Sequence, residues 1–204
     1  YYCNMRYSYI YDGFNEHKLI RALLNLSKNI DYITVLLSNI DKNISRFPRD
    51  YMNFDIIAGV GFSDAVVSNL DSFENLKAFH NENNDWLFGY LSYDLKNEIE
   101  VLSSKNNDNF QADNLFFFIP EYVLFLKNEK LEIQTYNSKH KCDQFVKKFN
   151  FKDLLPLNLN VNLIARDKKA SYLSKINAIK EHIQRGDIYE MNYCQEFYAK
   201  GVKV

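Results

Sequence analysis

Apolar side chains near the end of the chain change their spacing at a single glycine, Gly186. From Asp167 to Arg185 they recur every three or four residues, which predicts one long amphipathic helix. Asp167 or Ser171 is a suitable N-cap for this helix, and Gly186 suits a left-handed C-terminal cap. From Ile188 to Tyr198 the apolar positions alternate, which predicts a strand. The helical stripe consists of Tyr172, Ile176, Ile179 and Ile183.

The predicted strand has two unlike faces. Glu190, Asn192 and Cys194 point the same way, because side chains two residues apart on a strand share one face. Leaving such groups buried without partners costs about 1–3 kcal/mol for each unmade hydrogen bond. We therefore expect this polar face to be wet or to line a site. The opposite, mainly aromatic face carries Tyr189, Met191, Tyr193, Gln195 and Phe197.

The same criteria predict mainly strands, with interspersed helices, before residue 160. Asn15 and Ser72 are suitable helix N-caps, and Asn128–Lys130 is a hairpin turn. Ile33–Leu37 is continuously apolar, so we expect this strand to be buried on both faces. Gly89, inside a predicted strand, indicates close approach of another backbone. The predicted strands are Tyr7–Tyr11, Ile33–Leu37, Phe54–Val60, Trp86–Tyr93, one or two strands around Pro120 in Leu115–Leu126, and Leu131–Tyr136. The predicted helices are Asn15–Ser27, one starting at Ser72 and one around Phe145 and Phe149.

Strands and helices do not strictly alternate along the chain. This order argues for an α+β fold with a largely antiparallel sheet and against a doubly wound fold. Residues 38–51 and 96–113 are polar and predict loops, while 154–162 predicts a linker. We therefore expect two domains, 1–160 and 161–204.

Composition argues against several kinds of partner. The formal net charge is −1, which gives no basis for binding nucleic acid or an anionic membrane surface. No apolar run reaches membrane length. Cys3, Cys142 and Cys194 form no CxxC pair or disulfide framework, which favours a reducing cytosol. The four histidines are scattered, so we predict no metal site in these residues. Because the chain begins at Tyr1 and ends at Val204, just past a predicted strand, we expect a fragment.

The stretch Ile176–Phe197, INAIKEHIQRGDIYEMNYCQEF, resembles the segment that opens the catalytic domain of the chorismate-utilising enzymes. The family pattern there is approximately I-x-x-G-D-x-Y-Q-V-N-L-S-Q-R-F. The variant it resembles most is component I of the aminodeoxychorismate synthases (para-aminobenzoate synthases), followed by component I of the anthranilate synthases. The chain departs from the pattern at Glu190, Cys194 and Glu196. It matches at Ile183, Gly186, Asp187, Tyr189, Asn192, Gln195 and Phe197.

Two further stretches resemble the same family. Gly89–Asp94 matches its G-Y-L-S-Y-D segment, although the upstream glycine pair is absent. Leu36 and Leu37 match the L-L-E-S segment with which anthranilate synthases bind feedback tryptophan, but Ser38 and Asn39 replace its glutamate and serine. The resemblance implies a layered α/β/β/α sandwich with largely antiparallel sheets, incomplete here because the C-terminal catalytic half is absent.

The resemblance also implies a function. Component I of aminodeoxychorismate synthase aminates chorismate to 4-amino-4-deoxychorismate, for para-aminobenzoate and folate synthesis in the cytoplasm. Its ammonia comes from a glutamine amidotransferase subunit (component II). The family's Mg²⁺-binding glutamates and catalytic lysine lie downstream of Phe197, so we expect no catalytic residue, and no activity, in these residues alone. The alternatives are a fragment of anthranilate synthase component I and a non-catalytic tryptophan-binding or interaction module.

The candidate site residues follow from the same resemblance. In a complete enzyme, Glu190, Asn192 and Cys194 would face the chorismate cavity. Members that add water have lysine at position 190, and members that add an amine usually have glutamine. Glu190 therefore disfavours water addition, and it either holds ammonium or accepts a structural hydrogen bond. L-tryptophan is a candidate ligand, with a plain buried strand as the alternative. The candidate residues for a tryptophan pocket are Leu37, Asn39 and Tyr93.

Overall fold

The chain divides into two compact units, Tyr1–Leu154 and Leu155–Val204. The structure, a computed structural model, describes residues 5–38, 54–103, 108, 110–153 and 161–200. In chain order the first unit contains β1 (Tyr7–Asp12), α1 (Glu16–Leu26), β2 (Ile33–Leu37), β3 (Ile56–Val60), β4 (Asp64–Ser68), α2 (Ser72–Asn83), β5 (Phe88–Leu91), α3 (Lys96–Ile99), β6 (Leu115–Ile119), β7 (Tyr122–Lys127), β8 (Lys130–Thr135) and α4 (Lys139–Lys147).

The strands described in the first unit form two sheets. Five strands pair in the order β1-β8-β7-β3-β2, and three pair in the order β4-β6-β5. Every pair is antiparallel, which confirms the predicted α+β class. The predicted hairpin is also confirmed, because only Asn128 and Glu129 separate β7 from β8. Both residues have positive φ, 50° and 63°, as a two-residue type I′ turn requires.

One face of the five-stranded sheet is covered by α1 and α4. The predicted N-cap of α1 is confirmed, because Asn15 Oδ1 accepts a hydrogen bond from the Lys18 N–H at 2.9 Å. In α4 the ring of Phe145 stacks on Tyr122 of β7, with 3.9 Å between the ring centroids. The apolar stripe of α1 is buried in the same core. Its members are Leu19, Leu23 and Leu26.

The other face of the five-stranded sheet packs against the three-stranded sheet. Phe88 of β5 lies directly over Gly59 of β3, where an added Cβ would come within 2.8 Å of the phenyl ring. An added Cβ at Gly89 would overlap the carbonyl oxygen of Phe116 in β6, which confirms the close backbone approach predicted at Gly89. The buried side chains of this contact are Phe88, Phe118, Val123 and Phe125.

Among the described strands, β2 pairs only with β3, and it therefore lies at an edge of the five-stranded sheet. Leu36 and Leu37 are consequently 56 % and 41 % exposed. The prediction that Ile33–Leu37 is buried on both faces is therefore wrong. A continuous apolar run is typical of a central strand, but it does not reveal how many neighbours the strand has.

The start of α2 also differs from its prediction. Ser72 is the first residue of the helix, and Asp71 occupies the N-cap position without a capping side-chain hydrogen bond. The Ser72 N–H and hydroxyl instead donate to the carboxylate of Glu98, at 2.7 and 2.6 Å. The cap is therefore supplied by a residue distant in sequence, which a local pattern cannot indicate.

Other segments also differ from their predictions. The predicted strand Trp86–Tyr93 is shortened to β5 and followed by a 3₁₀ turn, Tyr93–Leu95. The predicted loop 96–113 begins with α3, and β4 was not predicted. Most of the predicted loop 38–51 lies outside the described residues.

Arg6 and Asp85 form a buried ion pair where the two sheets meet. Their side chains are 4 % and 7 % exposed, and both carboxylate oxygens are engaged, by Nε at 2.8 Å and by Nη2 at 2.7 Å. Arg6 Nη2 also donates to the Pro120 carbonyl oxygen at 2.7 Å. Asp85 accepts from the Tyr136 hydroxyl at 2.9 Å and from the Trp86 N–H at 2.7 Å. The pair thus ties the start of β1 to the β6–β7 turn, to the entry of β5 and to the end of β8.

Opposing effects act on the pKa of the Asp85 carboxyl. Burial raises it, but the hydrogen bonds from Arg6, from the Trp86 N–H and from Tyr136 together hold the pKa below its ordinary value of 3.8. A carboxyl whose pKa is lowered by folding contributes stability above its ordinary pKa. That contribution is lost as the pH falls towards the lowered value.

We predict that Asp85→Asn lowers the free energy of unfolding at pH 7 by about 3–5 kcal/mol, because it leaves the buried Arg6 without a counter-charge. The variant should also lose part of the wild-type decline in stability below pH 4. Urea unfolding at pH 7 and pH 3.5 measures both effects. Asp12→Asn, at the exposed end of β1, is the matched control. Equal stabilities of Asp85→Asn and the control at pH 7 would contradict the prediction.

Candidate functional site

The second unit consists of one helix and a short pair of strands. Its elements are β9 (Ile164–Ala165), α5 (Lys169–Arg185) and β10 (Phe197–Tyr198), with β10 antiparallel to β9. The predicted helix is therefore confirmed. Gly186 has φ 79°, and its N–H donates to the Ile183 carbonyl at 3.1 Å, while the Asp187 N–H donates to the His182 carbonyl at 3.0 Å. The predicted left-handed C-terminal cap is confirmed as well.

The strand predicted over Ile188–Tyr198 is mostly wrong. Only β10 is a strand, and residues 187–196 have an irregular backbone. β9 offers a partner of two residues, and a strand forms only where a neighbour completes its backbone hydrogen bonds. The alternation of apolar and polar residues in Ile188–Tyr198 does not show whether a neighbouring strand is available for backbone pairing.

Asp167 is the centre of a polar cluster instead of a helix cap. Lys168 occupies the N-cap position, without a capping side-chain bond, so the prediction of Asp167 or Ser171 is wrong. The Asp167 carboxylate accepts from Lys175 Nζ at 2.7 Å and from the Tyr193 hydroxyl at 2.6 Å. These bonds, that of Lys175 first, hold the pKa of the Asp167 carboxyl below its ordinary range. The same carboxylate raises the pKa of Lys175.

Gln195 is the fourth member of the cluster. We name these residues the Asp167 cluster: Asp167, Lys175, Tyr193 and Gln195. Gln195 Nε2 donates to the Asp167 carbonyl oxygen at 3.0 Å, and the Tyr193 ring lies 5.4 Å from the ring of Tyr172 on α5. Gln195 Oε1 is buried, and it has no hydrogen-bond partner in the described part of the chain. Tyr193 and Gln195 therefore fasten the segment before β10 to Asp167, and Tyr193 also contacts α5.

Arg166 and Glu196 form a second link across the β9–β10 pair. Arg166 donates from Nε and Nη2 to the two oxygens of Glu196, at 2.8 and 2.9 Å. The Arg166 N–H also bonds the Glu196 carbonyl at 2.9 Å, and the guanidinium lies 4.6 Å from the ring centroid of Tyr198. Sequence reasoning noted Glu196 but missed Arg166, whose complementary charge was the available signal.

Asp187 contacts the C-terminal turn of α5. Its Oδ2 lies 2.7 Å from His182 Nδ1 and accepts from Arg185 Nε at 3.1 Å. The carboxylate therefore sits beside two basic side chains of the last helical turn. Gly186 and Asp187 together set the direction in which the chain leaves the helix.

A separate cavity of about 390 Å³ opens on the first unit, at the hairpin end of the five-stranded sheet. Phe54, Phe125 and Ile10 supply its apolar lining, while Lys127 and Lys130 stand directly opposite each other across the β7–β8 pair. Like charges in such a position are destabilising. Neither lysine has an ion-pair partner among the described residues. Asn128 and Glu132 complete the lining.

A family model for chorismate binding enzymes matches residues 33–201, from the first residue of β2 to just past β10. The match covers most of the chain and includes both units. The chain belongs to the chorismate binding enzyme family. No match was found among curated proteins.

The residues predicted to face chorismate in this family lie on the irregular segment. Glu190, Asn192 and Cys194 are all exposed, and they follow from Gly186 and Asp187 at the end of α5. The strand that would have aligned the three side chains does not form here, so their common orientation has no support from backbone pairing. Their role toward chorismate stays a prediction.

The residues predicted for a tryptophan pocket lie in different parts of the first unit. Leu37 is opposite Ile56, on the sheet face that α1 and α4 cover. Tyr93 is 83 % exposed and follows β5 of the other sheet, and Asn39 lies outside the described residues. The pocket at these positions stays a prediction. The cavity beside Phe54 and Lys127 was not found from the sequence.

Within the described ranges, no group of three or more His, Cys, Asp or Glu side chains converges to hold a metal ion. The Mg²⁺ that the family resemblance implies, with its ligands downstream of Phe197, stays a prediction. No described helix is long and apolar enough to cross a membrane.

We predict that the Arg166–Glu196 link tolerates reversal of its charges but not loss of complementarity. Arg166→Glu and Glu196→Arg should each lower the protection of the Arg166 amide from hydrogen exchange, by about threefold, because like charges then face each other across two short strands. The double variant should restore the wild-type protection. Lys180→Glu, on α5, changes the net charge by the same amount as Arg166→Glu and should have no effect. Failure of the double variant to recover would show that the charges do not hold the strand pair.

Proposed function

We propose that this chain is part of component I of an aminodeoxychorismate synthase. The enzyme would aminate chorismate to 4-amino-4-deoxychorismate, the precursor of para-aminobenzoate. The supporting observation is the segment that follows α5. There the family's Gly-Asp pair forms the helix end, and Asn192 and Gln195 stand where this variant has them. Membership of the family supports chorismate as the substrate.

Glu190 supports ammonia over water as the nucleophile. It stands where water-adding relatives have lysine, and a carboxylate accepts a charge-assisted hydrogen bond from ammonium, whereas a lysine ammonium group repels that cation. Its exposed side chain is accessible to a small cation. Asn192 carries both a donor and an acceptor, so it can bind a hydroxyl or a carboxylate of the substrate.

The proposal includes partners beyond these residues. A glutamine amidotransferase subunit would supply ammonia, and Mg²⁺ would neutralise the substrate carboxylate and assist departure of the hydroxyl. The resemblance places the ligands of that ion downstream of Phe197, so we assign it no ligand here, and we expect these 204 residues alone to be inactive. A cytoplasmic location suits Cys142, which is unpaired and buried. Anthranilate synthase component I is the competing assignment, and the Asn192 match favours the aminodeoxychorismate variant.

The position of Glu190 provides the test. In the protein as its genome encodes it, supplied with chorismate, Mg²⁺ and ammonia, Glu190→Gln should retain much of the amination activity. Glu190→Lys should lower amination about tenfold or more, because it replaces a charge-assisted acceptor with a cation, or divert turnover to water addition. Chromatography of the products distinguishes these results, and Glu181→Lys on α5 is the charge-matched control. Unchanged amination by Glu190→Lys would exclude Glu190 from the nucleophile's site, and anthranilate as the product would replace the assignment.

L-tryptophan is proposed as a bound ligand of the first unit, and two locations compete. The resemblance places it near Leu37, Asn39 and Tyr93. The cavity offers an aromatic lining for the indole ring, and Lys127 and Lys130, which have no ion-pair partner among the described residues, for the carboxylate. The cavity is therefore the specific observation in favour of a tryptophan-binding module.

Calorimetry with millimolar L-tryptophan tests the ligand and its location together. Asn39→Leu should weaken binding if the resemblance is right. Lys127→Glu should weaken it by about tenfold if the cavity is the site, because a carboxylate would replace the cation that pairs with the ligand. Lys28→Glu, in the exposed turn that follows α1, is the control. Absence of saturable heat with the unmodified chain would rule out tryptophan binding by these residues.

A further inference from the structure

Side-chain contacts hold the chain at both ends of the five residues that lie between Asp187 and Tyr193. At the first end, the Asp187 carboxylate contacts two basic side chains of the last turn of α5. At the second end, the Tyr193 hydroxyl donates to the Asp167 carboxylate at 2.6 Å. Glu190 is three positions from either end. We name residues 188–192 the tethered span.

Tyr193 is fixed through both its ring and its hydroxyl. The ring lies 5.4 Å from the ring of Tyr172 on α5, and the hydroxyl bonds Asp167. The Asp167 carboxylate also accepts from Lys175 Nζ at 2.7 Å. A hydrogen bond to a carboxylate is roughly twice as strong as one between neutral groups. The family pattern has leucine where Tyr193 stands, so the shared motif does not require this bond.

Gln195 attaches the chain to Asp167 a second time, two residues after Tyr193. Its Nε2 donates to the Asp167 carbonyl oxygen at 3.0 Å, whereas its buried Oε1 has no hydrogen-bond partner among the described residues. A buried acceptor without a partner costs about 1–3 kcal/mol. Hydrogen bonding of the Gln195 amide group alone therefore does not explain its placement. The placement does fix the chain just beyond the tethered span.

The polar side chains of the tethered span are left accessible. Glu190 and Asn192 are exposed, whereas Tyr193 and Gln195 are partly buried. The two tethers therefore restrain the backbone without covering the groups proposed to meet ammonia and the substrate. Misplacement of a reacting group by 1 Å can slow a reaction by about a hundredfold. A bond that restrains the end of the span can thus change the rate without contacting the substrate.

We propose that Tyr193 and Asp167 are positioning residues, whose bond holds Asn192 and Glu190 in place for the substrate and for ammonia. The inference rests on the proposed function, and it adds residues outside the reacting groups that set the rate. Asp167 fixes the Tyr193 hydroxyl, and Tyr193 fixes the backbone that continues into Asn192. Glu190 is restrained through the same backbone.

Removal of a single hydroxyl tests the positioning role. The complete encoded protein is supplied with chorismate, Mg²⁺ and free ammonia. Tyr193→Phe should lower kcat about tenfold and change the KM for chorismate by less than about twofold, because the binding groups remain and only their placement loosens. Asp167→Asn should lower kcat similarly. The double variant should be no slower than the slower single variant, because both changes remove the same bond.

Tyr172→Phe is the matched control. It removes a hydroxyl from the other ring of the same contact, and that hydroxyl has no hydrogen bond among the described residues. Its kcat should equal that of the wild type. Circular dichroism at the assay temperature verifies that each variant is folded.

Backbone order parameters from ¹⁵N relaxation measure the placement without any turnover. The amides of Glu190 and Asn192 should have order parameters above about 0.8 in the wild type and below about 0.6 in Tyr193→Phe. The amides of α5 should be unchanged, since the helix keeps its own hydrogen bonds. Tyr172→Phe should match the wild type at every one of these amides.

The possible results separate the positioning role from the proposed function. Wild-type kcat in Tyr193→Phe would overturn the positioning role and leave the proposed function intact, whatever the order parameters are. An equal loss of kcat in Tyr172→Phe would assign the effect to ring packing and overturn the role of the hydroxyl bond. Absence of amination by the wild type itself would refute the proposed function, together with the positioning role that rests on it.

Discussion

The buried pair of Arg6 and Asp85 is the constraint on which the arrangement of the two sheets depends. Taking both charges out of water costs several kcal/mol for each ion, and this cost is offset only where the remaining donors and acceptors are bonded. Arg6 Nη1 reaches the carbonyls of Glu121 and Gln134 at 3.3 Å, in addition to the bonds of Nε and Nη2. Because the pair and its partners together lie on four different segments, the pair forms only when the sheets are correctly joined.

Close packing within the three-stranded sheet explains one motif that the chain shares with its family. Gly89 stands where β5 approaches β6 too closely for a side chain, and Ser92 is tied to Asn114 by a backbone bond of 2.8 Å. Tyr93, by contrast, is exposed, with Lys96 Nζ at 4.3 Å from its ring centroid. The beginning of this motif therefore has a structural reason. Tyr93, near the end of the motif, makes no comparably close contact among the described residues of the first unit.

The motif after α5 likewise contains both residues with a packing role and exposed residues. Gly186, Asp187, Tyr193 and Gln195 hold the segment against the helix through the cap and the Asp167 cluster. The intervening polar residues are exposed. Rigid anchors on both sides of accessible polar groups are what a binding segment needs, because ordering of the segment is then achieved before the ligand arrives. This arrangement links the packing of the second unit to the chemistry proposed for Glu190.

Local chemistry in the sequence determined the helix caps at Asn15 and Gly186, the type I′ turn at Asn128 and the apolar stripe of α1, because each depends on residues at most a few positions apart. It also indicated the α+β class and the family motif. Only the tertiary structure decided that β2 is an edge strand, that Glu98 caps α2 and that Asp167 binds Tyr193. It also decided that most of Ile188–Tyr198 lacks a strand partner. Each of these depends on which distant segment lies alongside, and alternation, burial preference and capping propensity carry no information about a neighbour supplied by another part of the chain.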